Sequence, residues 1–448
     1  MHSIRLLIGY SAAALGFTLY LGYGVNRTDF WPFILVYLLY FGIYLGMALY
    51  LEQKDRSDLI PAVLGLGLLL RFVLLFSVPN FSDDYARFLW DGHLINAGIH
   101  PFSQTPEYWM SQPVQVAGLS PELYAKLNSQ RYFTIYPPVN QFIFWLATFL
   151  FPSWEQGGIF VIKIFILASE VGVLYYLHKL GRRVGRPFAG LWYALNPLVI
   201  LEFTGNCHFE GMMVFFMLAA IWLLLQQKYL GGAALWTLAI ATKLSPALFL
   251  PVMWRWLGLK RGWHFMLRVG VFSLALFLPI LVMAPNMLRS VDLYFRKFQF
   301  NASIYYVIRY LGYESTGWDI GHKSGPLLGL LGVLIIWASA WIIRSRAEQV
   351  QQTTQLFQAI TLGGLGYLLC AATVQPWYLG VPLVFSLLGD WRAVLAWSAC
   401  IMLSYSHYEH NAYLENFPLI TLEYALFGII LFWDFRRIFV KRTRFDSP

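Results

Sequence analysis

Two adjacent carboxylates, Asp83 and Asp84, are the first residues of this chain whose type and position could do chemistry. They follow an apolar run from 59 to 78 that is long enough to span a bilayer. A carboxylate at a membrane edge can take the proton from a hydroxyl, because partial burial raises its pKa into a useful range. The stretch is a candidate catalytic loop, and the alternative is a hydrated loop with interfacial aromatics.

The residues that follow have the pattern of a helix over 83–97, ended by Gly98 and Pro101. Asp91 lies seven residues beyond Asp84, so a helix places both carboxylates on one face. We therefore include Asp91, together with Tyr85, the residue after Asp84, among the candidate substrate-binding residues.

A second polar cluster runs from Glu202 to Glu210, at the end of a later apolar segment. It contains Asn206 and His208, and four hydrogen-bonding side chains in nine residues around Gly205 have the pattern of a polar cup for a sugar. The alternative is a structural histidine at a membrane end.

Aromatic and amide side chains elsewhere could close such a site. Tyr136 precedes two prolines where the chain re-enters the membrane, and it offers a ring face and a hydroxyl. Gln375 and Trp377 lie in a later polar break, with His407 in a loop beyond it. Belts of Trp and Tyr are common in membrane proteins, which is the alternative interpretation.

Lys243 interrupts an apolar region, so two half-length helices, 229–243 and 245–254, are expected to meet at a polar break. An ionisable residue within a membrane segment is a functional hypothesis by default, and a cation there suits a phosphate. The alternative is a lysine that snorkels from a short helix end.

The loop 285–325 carries three further cations that could bind phosphate, namely Arg289, Arg296 and Arg309. The topology described below puts this loop on the external face, where the positive-inside rule does not account for cations. The alternative is snorkelling to lipid headgroups.

Composition identifies a polytopic membrane protein. Of 448 residues, 58% are hydrophobic and 12% are charged, whereas soluble domains have about 25% charged residues. The net charge of +9 comes from basic clusters at helix ends, which indicates the positive-inside pattern and argues against nucleic acid. The three cysteines are far apart and have no metal-ligand spacing.

The apolar segments predict an all-α protein of about 12 to 14 membrane crossings, organised as a single domain over 1–448. The basic clusters place the tail 435–448 in the cytoplasm and the loops 79–136 and 285–325 on the external face. The crossings between 138 and 203 number one too many for this topology. One of them, such as 187–203 with Asn196-Pro197, is therefore expected to be re-entrant or only partly inserted.

An ordered set of motifs resembles the GT-C superfamily of integral-membrane glycosyltransferases, and most closely the bacterial polyprenyl-phosphate-mannose-dependent mannosyltransferases of the family 87 type. The set spans most of 59–380. Its members are Ser82-Asp-Asp-Tyr85, Trp90-Asp-Gly92, Gly98-Ile-His-Pro-Phe102, Tyr136-Pro-Pro138, Asn206 with His208 and Glu210, Ala241-Thr-Lys243 with Pro246, and Gln375-Pro-Trp-Tyr378. The two helices before residue 59 depart from the family pattern, because they place the acidic loop after a third span.

The resemblance implies transfer of a hexose, mannose above all, from a polyprenyl-phosphate donor to a hydroxyl of a glycan or glycolipid acceptor. Asp84 matches the family's catalytic aspartate and Asp83 is its neighbour. The expected setting is the external face of a bacterial inner membrane, among membrane lipids and without a cofactor; a divalent metal is possible but not indicated. The alternatives are a flippase of lipid-linked saccharides and a GT-C-type glycan ligase.

Overall fold

The computed structural model describes residues 2–113, 116–296, 298–344, 347–411 and 413–440. Its regular structure within these ranges is helical, and the extended pairing there is one isolated bridge between Phe300 and Thr373. The predicted all-α class is therefore confirmed.

Long apolar helices at the N-terminus lead into the acidic loop and its short helices. Their bounds are α1 His2–Tyr23, α2 Phe30–Gln53, α3 Ile60–Val73, α4 Asp84–Asn96, α5 Pro106–Met110, α6 Pro121–Ala125 and α7 Pro138–Leu150. Asp84 opens α4, where a carboxylate interacts favourably with the helix dipole. The chain turns away at Gly98, whose φ of +74° suits glycine. The helix predicted over 83–97 is confirmed.

The middle of the chain alternates a long helix with shorter, interrupted ones. The bounds are α8 Glu155–Arg183, α9 Ala189–Ala194, α10 Pro197–Val199, α11 Glu210–Leu225, α12 Tyr229–Thr242, α13 Leu250–Leu257 and α14 Leu259–Leu281. A π-helical turn, Ile200–Gly205, continues α10, and a 3-10 turn, Ser245–Phe249, precedes α13. The predicted polar break at Lys243 is therefore present.

The C-terminal part completes the bundle. Its helices are α15 Ala284–Arg296, α16 Ile304–Thr316, α17 Gly321–Ser339, α18 Gln349–Cys370, α19 Gly380–Gly389, α20 Ala393–Cys400 and α21 Phe417–Phe435. A 3-10 segment, Ile401–Asn411, joins α20 to the loop before α21.

Seven helices within the described ranges are long and apolar enough to cross a membrane, or eight if one bent pair counts as a span. Three more apolar helices are shorter, at Pro138–Leu150, Tyr229–Thr242 and Pro376–Gly389. The predicted number of crossings, about 12 to 14, therefore exceeds the number of full-length apolar helices. The difference arises because polar breaks divide several apolar segments into short or bent pieces.

The bent pair consists of Pro197–Gly205 and Glu210–Leu225, which meet at 107°. Asn196 starts the first piece, because its side chain accepts a hydrogen bond from the N–H of Leu198. A broken span or a re-entrant loop has this geometry, so 197–225 is not one straight crossing. That 187–203 is re-entrant or only partly inserted stays a prediction.

Two buried cations stabilise the helices behind the acidic loop. Arg71 donates through Nε to Glu170 at 2.8 Å, and both side chains are fully buried. Lys163 donates to the carbonyls of Leu74 and Ser77 at 2.8 and 2.7 Å. Charges inside a membrane protein need such partners. Lys163 thereby fixes the end of α3 directly before the acidic loop.

Candidate active site

One cavity of about 890 Å³ lies where the interrupted segments meet. Its walls come from the start of α4, the loop 125–137, the bend 207–210, the break 242–249, the segment 373–382, and the side chains of His407, Tyr408 and Tyr413. Polar side chains lie at these breaks between apolar helices, and irregular backbone within a membrane protein is tolerated where it lines a cavity. The breaks in the fold therefore produce the site.

The two adjacent acids have different partners. Asp83 forms an ion pair with Arg27, with Nη2 and Oδ2 2.8 Å apart. Asn128 donates from Nδ2 to Asp83 and to Asp84, each at 2.9 Å. Asp84 therefore faces the cavity beside an amide, while a guanidinium balances the charge of its neighbour.

Lys243 at the break forms an ion pair with Glu210 at the start of α11. Glu210 is 2% exposed and Lys243 is 26% exposed, so the ammonium faces the cavity. The second carboxylate oxygen of Glu210, Oε2, has no hydrogen-bond partner among the described residues. A cation and an unsatisfied acceptor thus lie together on the cavity wall.

His208 lies beside this pair and is held between two groups. Its ring stacks on Trp377, with centroids 3.6 Å apart and planes at 20°. On the other side, Nδ1 lies 3.2 Å from Oε2 of Glu202. The ring is almost fully buried and borders the cavity.

The cavity brings together eight of the residues predicted from sequence. They are Asp83, Asp84, Tyr136, His208, Glu210, Lys243, Gln375 and Trp377. These residues come from segments far apart in the chain, so a common site for them is a property of the tertiary structure.

Three predicted substrate-binding residues lie away from the cavity wall. Asp91 is buried and holds Arg87 at 2.8 Å and the amide of Gln141 at 2.9 Å. Asn206 accepts a hydrogen bond from the N–H of Phe81 at 3.1 Å. Tyr85 packs in the core, where burial raises its pKa to about 12. These side chains support the acidic loop from behind, since their neighbours Arg87 and Phe81 line the cavity.

Lys243 lines the cavity, whereas the predicted phosphate-binding arginines whose side chains the structure describes, Arg289 and Arg309, do not. Arg309 is bound to Asp319, with Nε 3.0 Å from both carboxylate oxygens, and to Gln299 at 2.6 Å. Arg289 is exposed on α15, outside the cavity lining. The side chain of Arg296 lies outside the described residues.

Sequence reasoning missed Arg27, Asn128 and Tyr408. Arg27 lies in the loop between α1 and α2, where it pairs with Asp83 and stands 4.6 Å over the ring of Tyr408. The predicted topology puts this loop on the same face as the acidic loop, so its cation was a usable signal. Asn128 and Tyr408 carried no comparable signal, because each is one of many polar or aromatic residues at a membrane edge.

The acidic residues that the structure describes at the site do not have the grouping that a metal ion requires. Within the described ranges, no three His, Cys, Asp or Glu side chains group as metal ligands would. Asp83 and Asp84 instead contact the nitrogen atoms of Arg27 and Asn128.

The chain is a glycosyltransferase of the GT-C class, as its match to a sequence family shows. Residues 23–258 match the sequence family described as "Alpha-(1->6)-mannopyranosyltransferase, N-terminal domain". Because this match covers more than half of the chain, the chain belongs to that family. The matched region contains the acidic loop, the bend at His208 and the break at Lys243.

Two curated relatives are similar over part of their length, and both are named Alpha-(1->6)-mannopyranosyltransferase A. The one from Mycobacterium tuberculosis is 28% identical over 188 residues, 41% of this chain and 35% of the relative. The one from Corynebacterium glutamicum is 23% identical over 245 residues, 53% of this chain and 47% of the relative. The aligned part of the chain therefore spans less than half the length of either relative.

Proposed function

We propose that this protein transfers a mannosyl group from a polyprenyl-phosphate donor to a hydroxyl of a glycan or glycolipid acceptor. Family membership supports the mannosyl part of this proposal. The observation that carries it is the unequal environment of the two acids. Arg27 pairs with Asp83, whereas Asp84 faces the cavity with an amide as its partner. A carboxylate without a cationic partner is the better proton acceptor, so Asp84 is the proposed base.

Lys243 is the proposed binding group for the donor phosphate. The phosphate gains negative charge as the bond to the sugar breaks, and a fixed cation stabilises that charge. The lysine already contacts Glu210, so a bound phosphate would share the ammonium with this carboxylate. Candidate partners for the sugar hydroxyls in the same cavity are His208, Tyr136, Gln375 and Oε2 of Glu210, which has no hydrogen-bond partner within the described ranges.

The proposed transfer uses side chains of the chain and no cofactor or metal. We expect turnover to be unchanged in EDTA. Loss of activity in EDTA, restored by one divalent ion, would contradict this part of the proposal.

Asp84→Asn tests the base, because it keeps the shape and removes the proton acceptor. General-base help is typically worth about 10²–10⁴-fold, so we expect turnover of a short synthetic donor to fall by about 100-fold or more. Binding of the donor should persist. Asp83→Asn is the matched control and should be milder, since Asp83 is already paired.

The results separate the alternatives. If Asp83→Asn abolishes turnover while Asp84→Asn leaves it normal, Asp83 and not Asp84 is the base. Normal turnover for both variants would remove the acids from the chemistry and favour a flippase of lipid-linked saccharides. Joining of a lipid-linked polymer, but not of a single sugar, would favour a glycan ligase.

The proposed setting is the external face of a bacterial inner membrane. The positive-inside distribution of basic clusters supports this orientation. A cysteine introduced at Met110, which lies in the acidic loop, should react with an impermeant reagent added outside the cell. Labelling from the cytoplasmic side alone would contradict it.

A further inference from the structure

A histidine and a carboxylate that take no part in the proposed base or phosphate contacts face each other at the bend of the broken span. Glu202 lies on the π-helical turn Ile200–Gly205, and His208 follows in the turn before α11. The backbone N–H of His208 donates to the carbonyl of Phe203 at 3.1 Å. The bend therefore brings the imidazole back over the turn that carries Glu202.

Glu202 is held from a distant part of the chain. The hydroxyl of Tyr405 donates to its Oε1 at 2.8 Å, and both side chains are fully buried. The other oxygen, Oε2, is the one that lies 3.2 Å from Nδ1 of His208. This 3.2 Å contact is not a formed hydrogen bond, because neither Nδ1 nor Oε2 has a hydrogen-bond partner within the described residues. Catalytic hydrogen bonds are often long or poorly aligned before a substrate is bound. A buried carboxylate requires donors, and Tyr405 and the imidazole are available for this role.

Both ring nitrogens of His208 lack a hydrogen bond within the described residues, as do other polar atoms on the cavity such as Oε2 of Glu210 and Oε1 of Gln375. Nε2 has no hydrogen-bond partner within the described part of the chain, although the side chain is only 3% exposed. Stacking on Trp377 keeps the ring from turning away. His208 lines the same cavity as Asp84, the proposed base, and Lys243, the proposed phosphate site.

We propose that Glu202 and Tyr405 are positioning residues, which hold His208 with Nδ1–H directed at Glu202 and with Nε2 bare, as acceptor for a sugar hydroxyl. A carboxylate partner fixes the tautomer of an imidazole in this way. That the ligand is a sugar rests on the proposed function. The hydroxyl belongs either to the transferred hexose or to the acceptor.

A double-mutant cycle tests whether Glu202 acts through His208. Glu202→Leu removes the carboxylate at similar volume, and His208→Phe keeps the stacking on Trp377 while removing both nitrogens. An unpaired buried polar group typically costs about 10- to 100-fold in an equilibrium, so each single variant should lower kcat/KM by about this factor. The double variant should be no worse than His208→Phe alone. Multiplicative effects would overturn the proposal.

The KM values for donor and acceptor, measured separately, show which sugar hydroxyl His208 binds. A raised KM for the lipid donor alone assigns the hydroxyl to the transferred hexose, and a raised KM for the acceptor alone assigns it to the acceptor. Glu423→Leu is the matched control, because Glu423 is equally buried but contacts Trp397 and Asn301 instead. It should change stability and leave both KM values unchanged. Unchanged KM values in Glu202→Leu would overturn the proposal.

Nitrogen-15 NMR of labelled histidine supplies a readout that does not depend on turnover. The His208 signals, identified by their loss in His208→Phe, should show the Nδ1-protonated tautomer. Tyr405→Phe should shift them partly and Glu202→Leu fully. An Nε2-protonated tautomer in the unmodified protein would overturn the proposal. Asp84→Asn should leave the tautomer unchanged, so failure of the proposed base and failure of this inference are distinguishable.

Discussion

Two ion pairs in this protein have similar chemistry and opposite surroundings. Arg71 and Glu170 are fully buried, and neither has a buried polar atom without a partner. Glu210 and Lys243 lie on the cavity, where Oε2 of the carboxylate has no hydrogen-bond partner among the residues that the structure describes. The pair of Arg71 and Glu170, called the sealed pair below, forms its hydrogen bonds with other groups of the protein. The pair of Lys243 and Glu210, the cavity pair, still has a carboxylate oxygen that can accept a hydrogen bond from a ligand. We therefore expect the sealed pair to stabilise the fold and the cavity pair to bind substrate.

Further partners complete the sealed pair. Arg71 also donates to the carbonyls of Gly67 and Ala194 at 2.8 and 2.7 Å, and Tyr193 donates to Glu170 at 2.7 Å. Gly211 is required beside it, since a Cβ there would lie 2.1 Å from Oε1 of Glu170. Residue 211 follows Glu210 directly, so the sealed pair fixes the backbone that carries the cavity pair.

The largest predicted effect is on the sealed pair. Breaking one buried ion pair typically costs about 3–5 kcal/mol, because a buried charge loses its partner. Arg71→Met should lower the free energy of unfolding by about this amount, measured by denaturant unfolding in detergent. Arg71→Met with Glu170→Gln should recover part of the loss. If Arg71→Met is no less stable than Lys243→Met, the comparison between the pairs fails.

The second prediction concerns the cavity pair. Hydrogen bonds to charged groups contribute about 1.5–3 kcal/mol, so Lys243→Ala should raise the KM for the lipid donor by about 10- to 100-fold. Its unfolding should change less than that of Arg71→Met, because the ammonium is partly exposed. Lys243→Arg should retain part of the affinity, since the charge persists with a different geometry. Unchanged donor binding in Lys243→Ala would make this lysine a helix-end anchor.

The third prediction separates the two acids of the loop. The Arg27–Asp83 pair is partly exposed. Its contribution to the free energy of folding should therefore be similar to that of surface ion pairs, about 0–1 kcal/mol. Arg27→Gln should therefore lower turnover by less than about 10-fold, because Asn128 still holds both carboxylates. Adding Asp83→Asn should restore turnover by removing the unpaired charge. A further loss in the double variant would show that Asp83 has a role besides its pairing with Arg27.

The smallest predicted effect is at Glu415, whose partners within the described residues are a hydroxyl, a backbone N–H and, 3.6 Å from Oε1, Nδ1 of His407. Glu415 accepts from the hydroxyl of Tyr306 at 2.7 Å and from the N–H of Asn301 at 3.2 Å. Burial raises its pKa above the ordinary value. The folded state therefore favours the protonated acid, so its stabilising contribution is present at low pH and is lost as pH rises through the folded pKa. Glu415→Gln should remove this decrease of stability with rising pH. Thermal unfolding of both proteins at several pH values measures the difference.

Local sequence patterns determined the class and most of the elements. Hydropathy identified a membrane protein, the capping pattern predicted α4, and Lys243 with Pro246 predicted the break between α12 and α13. These properties depend on neighbouring residues, so helix periodicity and turn chemistry are sufficient to find them. The eight predicted site residues on the cavity also came from local signals, namely charges, prolines and aromatics at the ends of apolar runs.

Only the tertiary structure decided which charges meet. Arg27 and Asp83 are 56 residues apart, and Arg71 and Glu170 are 99 apart. Helix packing brings each pair together, and no periodicity within a segment encodes that packing. Asp91 illustrates the limit: its type and spacing suggested a role beside Asp84, but Arg87 and Gln141 hold it behind the cavity wall. Whether a carboxylate binds substrate or stabilises the fold depends on its partners, and distant segments supply those partners only after folding.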